Sequence, residues 1–570
     1  MTTSSSSPRR WWALIAISVS VLVVGLDMTV LSLALPDLSR SLHASTSDLQ
    51  WFTDAYTLVL AAALLPAGLL SDRLGRKKVL LGSLALFGCG SAACAYAASA
   101  GELIAARAVL GLGAAAIMPL SMAILPILFT EEERPKAIAL MAGASFIGYP
   151  VGPLLGGWLL DNFWWGSVFL INVPVVMLAL VAVAVLMPES RSGQRPGIDV
   201  TGVAVSSLGL IGLTYGFIKA GESGWGDVTA LAAVGAGAAV LAAFVAWERR
   251  MSRRAARAAA AGGGPAAPAP GRALAGGRHR PLAGPAARQP LVDLTLFRSA
   301  GFTWGTILIT LASFAMLGLF FAMPQYFQEV RGADAFRSGL LLLPMAGGMM
   351  AGMVAGTRLQ STPKGRPGGV PLANAKALTG TGFAVMAAAL AAGAFTQVRS
   401  GTGFTVAWFA VCGVGLGIAL PAAMNAAIGA LSADRSGAGS ALIRAMQQVG
   451  ATIGVAILGT VLSSGYRSHL DLAGLPAAAA GAARSSVTAG VAVAQGLRSA
   501  PLLDAVRTAF THGLDTTLWV CCGIAAASAL VALAFLPRRA GAATAPLAAR
   551  DGTAAPERAA TGQRLQSGQN

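Results

Sequence analysis

Charge is what this sequence has least of. Only 11% of its 570 residues are Asp, Glu, Lys or Arg, against about a quarter in a soluble domain. Composition alone therefore argues against a water-soluble globular protein. Acid is scarcer than base, at 24 Asp and Glu against 41 Lys and Arg. Histidine is nearly missing: there are four, none in a triad or metal-ligand pattern. The five cysteines (Cys89, Cys94, Cys412, Cys521 and Cys522) all fall in apolar segments without metal-ligand spacing, so neither a disulfide framework nor a metal site is indicated. No G-x-x-x-x-G-K-[ST] loop occurs and no loop holds a recognisable catalytic constellation, which argues against ATP-driven machinery and against an enzyme. No metal or organic cofactor is expected.

What fills the chain instead is apolar sequence and glycine. Hydrophobic residues make up 55%, mean hydropathy is +0.67, and 70 residues are Gly, as in helices that approach one another closely inside a bilayer. A membrane span needs about 20 mostly apolar residues. Fourteen such stretches lie near 12–36, 48–71, 78–98, 102–125, 136–160, 166–187, 199–219, 228–247, 300–324, 336–359, 374–396, 403–431, 435–463 and 515–537. The opening MTTSSSSPRR resembles a signal-peptide start, but the apolar run after it is too long for an h-region, so a retained first span is expected.

An even number of spans puts both termini on one side. The terminus-side loops then hold at least three times as many Lys and Arg as the opposite loops. That asymmetry places both termini in the cytoplasm, and it accounts for much of the +17 net charge without nucleic acid. The expected architecture is an all-α integral membrane protein. Residues 1–11 form a cytoplasmic tail, 12–187 a six-helix half, 188–247 two inserted helices, and 248–297 a basic Ala/Gly/Pro/Arg-rich cytoplasmic linker near anionic lipid. Residues 298–537 form a second six-helix half with an extracellular loop at 464–514, Ala-rich and expected to be a helical hairpin on the membrane surface, and 538–570 a disordered tail. AGLLSDRLGRKK (67–78) and AGTRLQSTPKGR (355–366) echo each other at corresponding places in the halves. Paired halves are a transporter plan with a midplane site between them.

Several segments carry more than hydropathy. In GLLSDRLGRKK, Gly68 and Gly75 permit a tight turn, and Asp72, Arg73 and Arg76 set charges beside it. In GYPVGPLLGGWLL, Gly148, Gly152, Gly156 and Gly157 recur at three- to four-residue spacing, with Pro153 free to kink the helix. Arg107 lies within the fourth span, and either snorkels to Glu102 or serves the transport cycle. Asp27 lies within the first, either paired to a neighbouring helix or facing a central cavity as a proton-exchanging carboxylate. Asp54 has aromatic company in Trp51, Phe52 and Tyr56, the combination that lipophilic cations favour. It sits nearer the outer end, on an exit path or in solvent. Gln447 and Gln448 are polar groups within the thirteenth span, beside Arg444. The ninth span is aromatic, with Phe302, Trp304, Phe314, Phe320, Phe321 and Tyr326 shared between lipid and an adaptable pocket.

Together with LDMTVLSLALP (26–36), RAVLGLGAA (107–115), FWWGSVFLINVP (163–174) and GAGSALIRAMQQVGATIGVAILGT (437–460), these segments resemble the major facilitator superfamily, and within it the fourteen-helix drug:proton antiporters. The resemblance implies a major facilitator fold and proton-coupled efflux of hydrophobic drugs or antiseptics by alternating access, driven by the proton-motive force. It implies proton coupling at Asp27, Asp54 and Arg107, and a cytoplasmic gate at Gly68, Asp72, Arg73, Gly75 and Arg76. The glycine run from Gly148 to Gly157 becomes an antiporter motif. Trp51, Tyr56, Gln447, Gln448 and Arg444 are pocket candidates. A dedicated exporter of one antibiotic or metabolite is the alternative, and an importer or membrane sensor a weaker one. The sequence departs from the pattern at Ala139, where a Gly is expected. It also lacks an acid in the thirteenth span, and by these boundaries in spans 9–12, which favours a neutral, anionic or zwitterionic substrate over a divalent cation. The expected partners are the bilayer of the cell membrane, protons and a hydrophobic small molecule, with a cationic one among the candidates; no nucleic acid and a monomeric state are expected.

Overall fold

The computed structural model describes residues 8–129, 133–187, 189, 200–261, 294–360, 374–431 and 433–537. They are all-helical, with no strand among them. The long helices are α1 (Pro8–Ser41), α2 (Thr46–Leu74), α3 (Arg76–Ala95), α4 (Ala100–Leu128) and α5 (Arg134–Asn162). A single turn, α6 (Ser167–Leu170), leads into α7 (Asn172–Leu186), followed by α8 (Val200–Ser223) and α9 (Val228–Ala261). Then come α10 (Ala300–Gln325), α11 (Ala335–Gln360), α12 (Ala375–Gly393), α13 (Thr402–Ile428) and α14 (Ala433–His469). The short α15 (Ala477–Ser485) and α16 (Val487–Gly496) precede α17 (Ala500–Phe535). Twelve helices among the described residues are long and apolar enough to cross a membrane, so this is a multi-pass membrane protein. α2 and α5, at 29 residues each, match them in length.

Local chemistry sets the breaks. Ser45 and Asp48 form a reciprocal capping box that starts α2. Ser99 caps α4, where Glu102 turns back to accept from the Ala98 amide at 2.8 Å. α2 and α3 meet at Gly75, whose φ of 107° suits glycine alone. Lys77 then donates to the Ala184 carbonyl at 2.6 Å, setting a cation at the C-terminal end of α7, where the helix dipole is negative. The sixth span is interrupted between α6 and α7. Pro174 has no N–H to give the Leu170 carbonyl, and the chain turns there.

α1 packs on α5 and α7, α2 on α4, and α3 on α4 and α7. In the second group α10 packs on α13 and α14, α13 on α11 and α12, and α17 on α12 and α14. α8 and α9 lie mainly against each other, and α8 also touches α2 and α14, one helix from each group. α16 packs beside α17, and α15 packs on α16.

Three boundaries differ from the sequence reading. α9 continues to Ala261, so the first part of the expected linker is helix, its Ala and Arg being good helix formers; residues 262–293 lie outside the described residues, as does the tail from 538. The outer segment at 464–514 is helical as expected, with α15 and α16 inside it, but its flanks belong to longer spans: α14 runs on to His469 and α17 begins at Ala500. The ninth span does not stop near 324. It passes from α10 into a π-helical turn, Tyr326–Val330, which is buried, so Glu329 is an acid in a span that sequence reading left without one.

Candidate functional site

Asp27 and Arg107 form the first of two clusters. The pair is enclosed inside the first helix group, each side chain 1% exposed, with Arg107 Nη1 donating to Asp27 Oδ2 at 2.6 Å. Arg107 Nε donates to the Phe52 carbonyl at 2.9 Å, and the guanidinium lies 4.4 Å from the Tyr56 ring centroid, a cation–π distance. Asn172, placed by the break before α7, donates to Asp27 Oδ1 at 3.3 Å and to Ser91 Oγ at 3.1 Å. Ser91 in turn donates to the Phe169 carbonyl. Five helices thus converge on one buried ion pair, and its hydrogen bonds offset the desolvation that makes such pairs costly.

The glycines after Arg107 make this convergence possible. A Cβ at Gly111 would collide with the Tyr56 carbonyl, and one at Gly113 would lie 2.6 Å from the Phe87 amide. Without them α2 and α3 could not approach α4, and neither Phe52 nor Tyr56 would reach the guanidinium. The geometry bears on two choices that the sequence left open. Asp27 does not face an open cavity; its carboxylate is closed in by Arg107 and Asn172. Arg107 does not turn to Glu102, which is exposed at the start of α4.

The second cluster lies in the seam between the helix groups. Gln50, Asp54 and Thr57 share one face of α2, three to four residues apart. Gln50 donates to the Val455 and Ala456 carbonyls of α14, and Thr452 of α14 donates to Thr57 Oγ1 at 2.7 Å. Asp54 is therefore held between two hydrogen-bonded contacts to the opposite group. It is wholly buried, not solvated, and neither carboxylate oxygen has a hydrogen-bond partner among the described residues. An ionised carboxylate is the most expensive group to leave so placed, and adding one proton removes that cost.

Further contacts join the groups at the same end of the bundle, where α1 and α5 finish and α2 and α11 begin. Asp161 accepts from the Ala335 and Phe336 amides at 3.1 and 3.0 Å, capping α11. Gln328 donates to the Leu33 carbonyl, Glu329 pairs with Arg40 at 2.6 Å, and Ser39 and Thr46 bond to Ser486 and the Ser485 carbonyl. The glycine run of α5 serves two neighbours rather than one face: Gly152 and Gly156 press on Thr29 and Val30 of α1, while Gly157 presses on Ala335 and Phe336 of α11. Pro153 gives its carbonyl to a close approach by Gly339.

The remaining predicted residues scatter. Trp51 is half-buried. Arg444 is exposed and donates to Gln447 at 3.4 Å. Gln448 is half-buried with Oε1 unbonded. Of the ninth-span aromatics Phe302, Phe314, Phe320, Phe321 and Tyr326 are buried in the protein core rather than facing lipid, and Trp304 stacks on Phe535 at 4.5 Å. Of the loop motif, Gly75 forms the turn and Arg76 opens α3; Gly68, Asp72 and Arg73, with Gly148, fall outside the residues whose side chains are described. Sequence reading missed Asn172, Gln50, Asp161, Glu329 and Asp515. The last lies well inside α17 rather than at a span's edge, with Oδ1 buried and unbonded. Only polarity within an apolar run could have flagged them.

A family model for the Major Facilitator Superfamily matches residues 17–455. The tetracenomycin C resistance and export protein of Streptomyces glaucescens is 31% identical over 538 residues, covering 92% of this chain and 91% of that protein. The multidrug efflux pump LfrA of Mycolicibacterium smegmatis is 31% identical over 94% of this chain and 98% of its own length. The methyl viologen resistance protein SmvA of Salmonella typhimurium is 30% identical over 88% of this chain. Among solved structures, a bacterial homologue of the human lysosomal transporter Spinster, inward-facing and unoccupied, shares the fold with a TM-score of 0.63 at 16% identity, over 93% of this chain and 98% of that one.

Proposed function

Since the chain belongs to the major facilitator superfamily, we propose that it is a proton-coupled exporter of hydrophobic small molecules that works by alternating access. Relatives matched over nearly their full length are efflux and resistance proteins, and we carry efflux over to this chain. Counting α2 and α5 as spans gives fourteen, with α8 and α9 inserted between two six-helix halves and both termini in the cytoplasm. The joined end of the bundle is then the outer end, and the molecule is inward-facing. The chain acts as a monomer, takes protons as its coupling partner, and needs no cofactor.

The observation that carries this reading is Asp54, partnerless and buried in the seam. Alternating access opens and closes that seam. Open to the outside, Asp54 meets water and can take up or give up a proton. Closed, it is held without any hydrogen bond, which the neutral acid tolerates and the carboxylate does not. A proton therefore boards Asp54 before the outer end shuts, and the cycle is completed when it is released to the cytoplasmic side before the outer end reopens. Arg107 and Asp27 position α2 from behind, through the Phe52 carbonyl and the Tyr56 ring, and so couple the state of α2 to α1, α4 and α7. Trp51, Gln447, Gln448 and Arg444 contribute to the drug surface, and the Asp72–Arg73–Arg76 loop latches the cytoplasmic side.

Loading drug-sensitive cells with ethidium tests this. Expression of the chain is expected to speed dye loss, and a protonophore to abolish the gain. A normal membrane level with no efflux of ethidium or of an uncharged dye would contradict the multidrug reading. A dedicated exporter of one neutral or anionic compound is the second reading, favoured by the lack of an acid near Gln447 and by Arg444.

A further inference from the structure

Alternating access must break, in every cycle, whatever joins the halves at the outer end. One of those contacts is an ion pair with an unusual division of exposure. The Glu329 side chain is 1% exposed and that of its partner Arg40 is 48% exposed. The acid belongs to the second half and the base to the first.

The backbone explains how the acid gets there. α10 ends in a π-helical turn, closed by the Arg331 amide on the Tyr326 carbonyl at 3.1 Å. The wider turn carries one extra residue and re-aims side chains, a feature common at functional sites. It sends two consecutive residues across the seam to α1: Gln328 to the Leu33 carbonyl at 2.9 Å, and Glu329 to Arg40. Arg40 forks. Its Nη2 goes to Glu329 and its Nη1 to Asp37 of its own helix at 3.1 Å.

The charged and polar groups facing Glu329 can be named element by element. α1 presents Arg40 and, beyond it, Asp37; α16 presents the neutral hydroxyl of Thr488. α17 presents Arg507, whose Nε donates to the Glu329 backbone carbonyl at 3.2 Å rather than to its carboxylate. Arg331, beside it in sequence, is committed to the Val398 carbonyl and to Thr402. Among the described residues, Arg40 is the cation that balances the carboxylate charge across the seam.

We propose that Glu329 is a gate residue of the transport cycle: ionised, it locks the outer end shut through Arg40, and protonated from the outer face, it releases it. The proposal rests on the alternating-access reading. The half-exposed Arg40 gives an outside proton its route to the pair. When Glu329 takes that proton the cross-seam attraction is gone, while Arg40 keeps water and Asp37. Outer acidity, the same condition that drives proton entry, thereby opens the side on which drug leaves. Glu329 is a positioning residue in this scheme: it touches the other half of the protein, not the drug.

Pulsed electron paramagnetic resonance on the full chain in lipid nanodiscs tests it. Spin labels go on His43→Cys and Arg399→Cys, exposed loop positions at the outer end of opposite halves, with Cys89→Ala and Cys522→Ala removing the accessible native thiols. The wild-type pair is expected to show a short distance at pH 8 and a longer one at pH 5. Glu329→Gln, which mimics the protonated acid, is expected to give the longer distance at both values. Arg40→Gln, altered at a half-exposed position, is expected to do the same. Glu329→Asp is expected to restore part of the pH response. A wild-type distance that ignores pH would overturn the proposal, and so would a Glu329→Gln or Arg40→Gln distance that follows pH as the wild type does. The distance is read without drug, so failure of the efflux reading and failure of the gate are told apart.

Discussion

At the scale of residues, the two buried acids of the first half make opposite demands. Asp27 is part of an ion pair that five helices complete. Removing one partner strands the other charge, which typically costs about 3–5 kcal/mol. Asp27→Ala is therefore expected to lower thermal stability sharply in detergent, and Asp27→Ala with Arg107→Leu to recover much of the loss. Asp54 has no partner to strand. Asp54→Asn is expected to leave thermal stability unchanged or raise it, while proton-driven transport falls at least tenfold. A stability loss at Asp54 equal to that at Asp27 would count against the division of roles. Both acids were visible as single charges in apolar runs. Which one was paired was not, because Arg107 lies 80 residues from Asp27 and Asn172 gives no signal beyond being polar.

At the scale of elements, glycines decide which helices meet, and two of them separate stability from transport. Gly111 belongs to one half, against Tyr56. A methyl there overpacks a core, at about 1–3 kcal/mol, so Gly111→Ala is expected to lower the unfolding temperature. Gly157 presses on Phe336 across the seam. Gly157→Ala is expected to keep the unfolding temperature of the halves but to slow transport, because the outer end cannot close fully; equal unfolding losses at both glycines would refute the distinction. Hydropathy placed the helices well, and Gly-rich spacing marked α5 correctly as a close-packing helix. What it missed were extensions and caps. Arg-rich sequence after 247 looked like linker because charge ends a hydropathy run, although Ala and Arg continue a helix readily. The π-helical turn at Tyr326–Val330 was unreadable, since an extra residue in a helix leaves no pattern in a single sequence. α15 and α16 were legible as helix from their Ala-rich sequence; where they pack was not, because it rests on contacts such as Tyr466 donating to the Ala483 carbonyl.

At the scale of the whole molecule, the halves meet where α1, α5, α10 and α14 finish, and the seam there contains Asp54, Gln50, Thr57, Gly157 and the Glu329–Arg40 pair. The membrane class and the all-helical architecture were legible from composition and from the long apolar runs. The seam was not, because its contacts join residues hundreds of positions apart and its acid looks, in sequence, like any other near a span's end. The central claim is that Asp54 carries the coupling proton through this seam. Proteoliposome transport of ethidium tests it most directly, comparing uptake driven by an imposed pH gradient with gradient-free exchange of dye for dye. The account predicts that Asp54→Asn keeps exchange near the wild-type rate and loses gradient-driven uptake. Gradient-driven uptake at the wild-type rate in Asp54→Asn would contradict it.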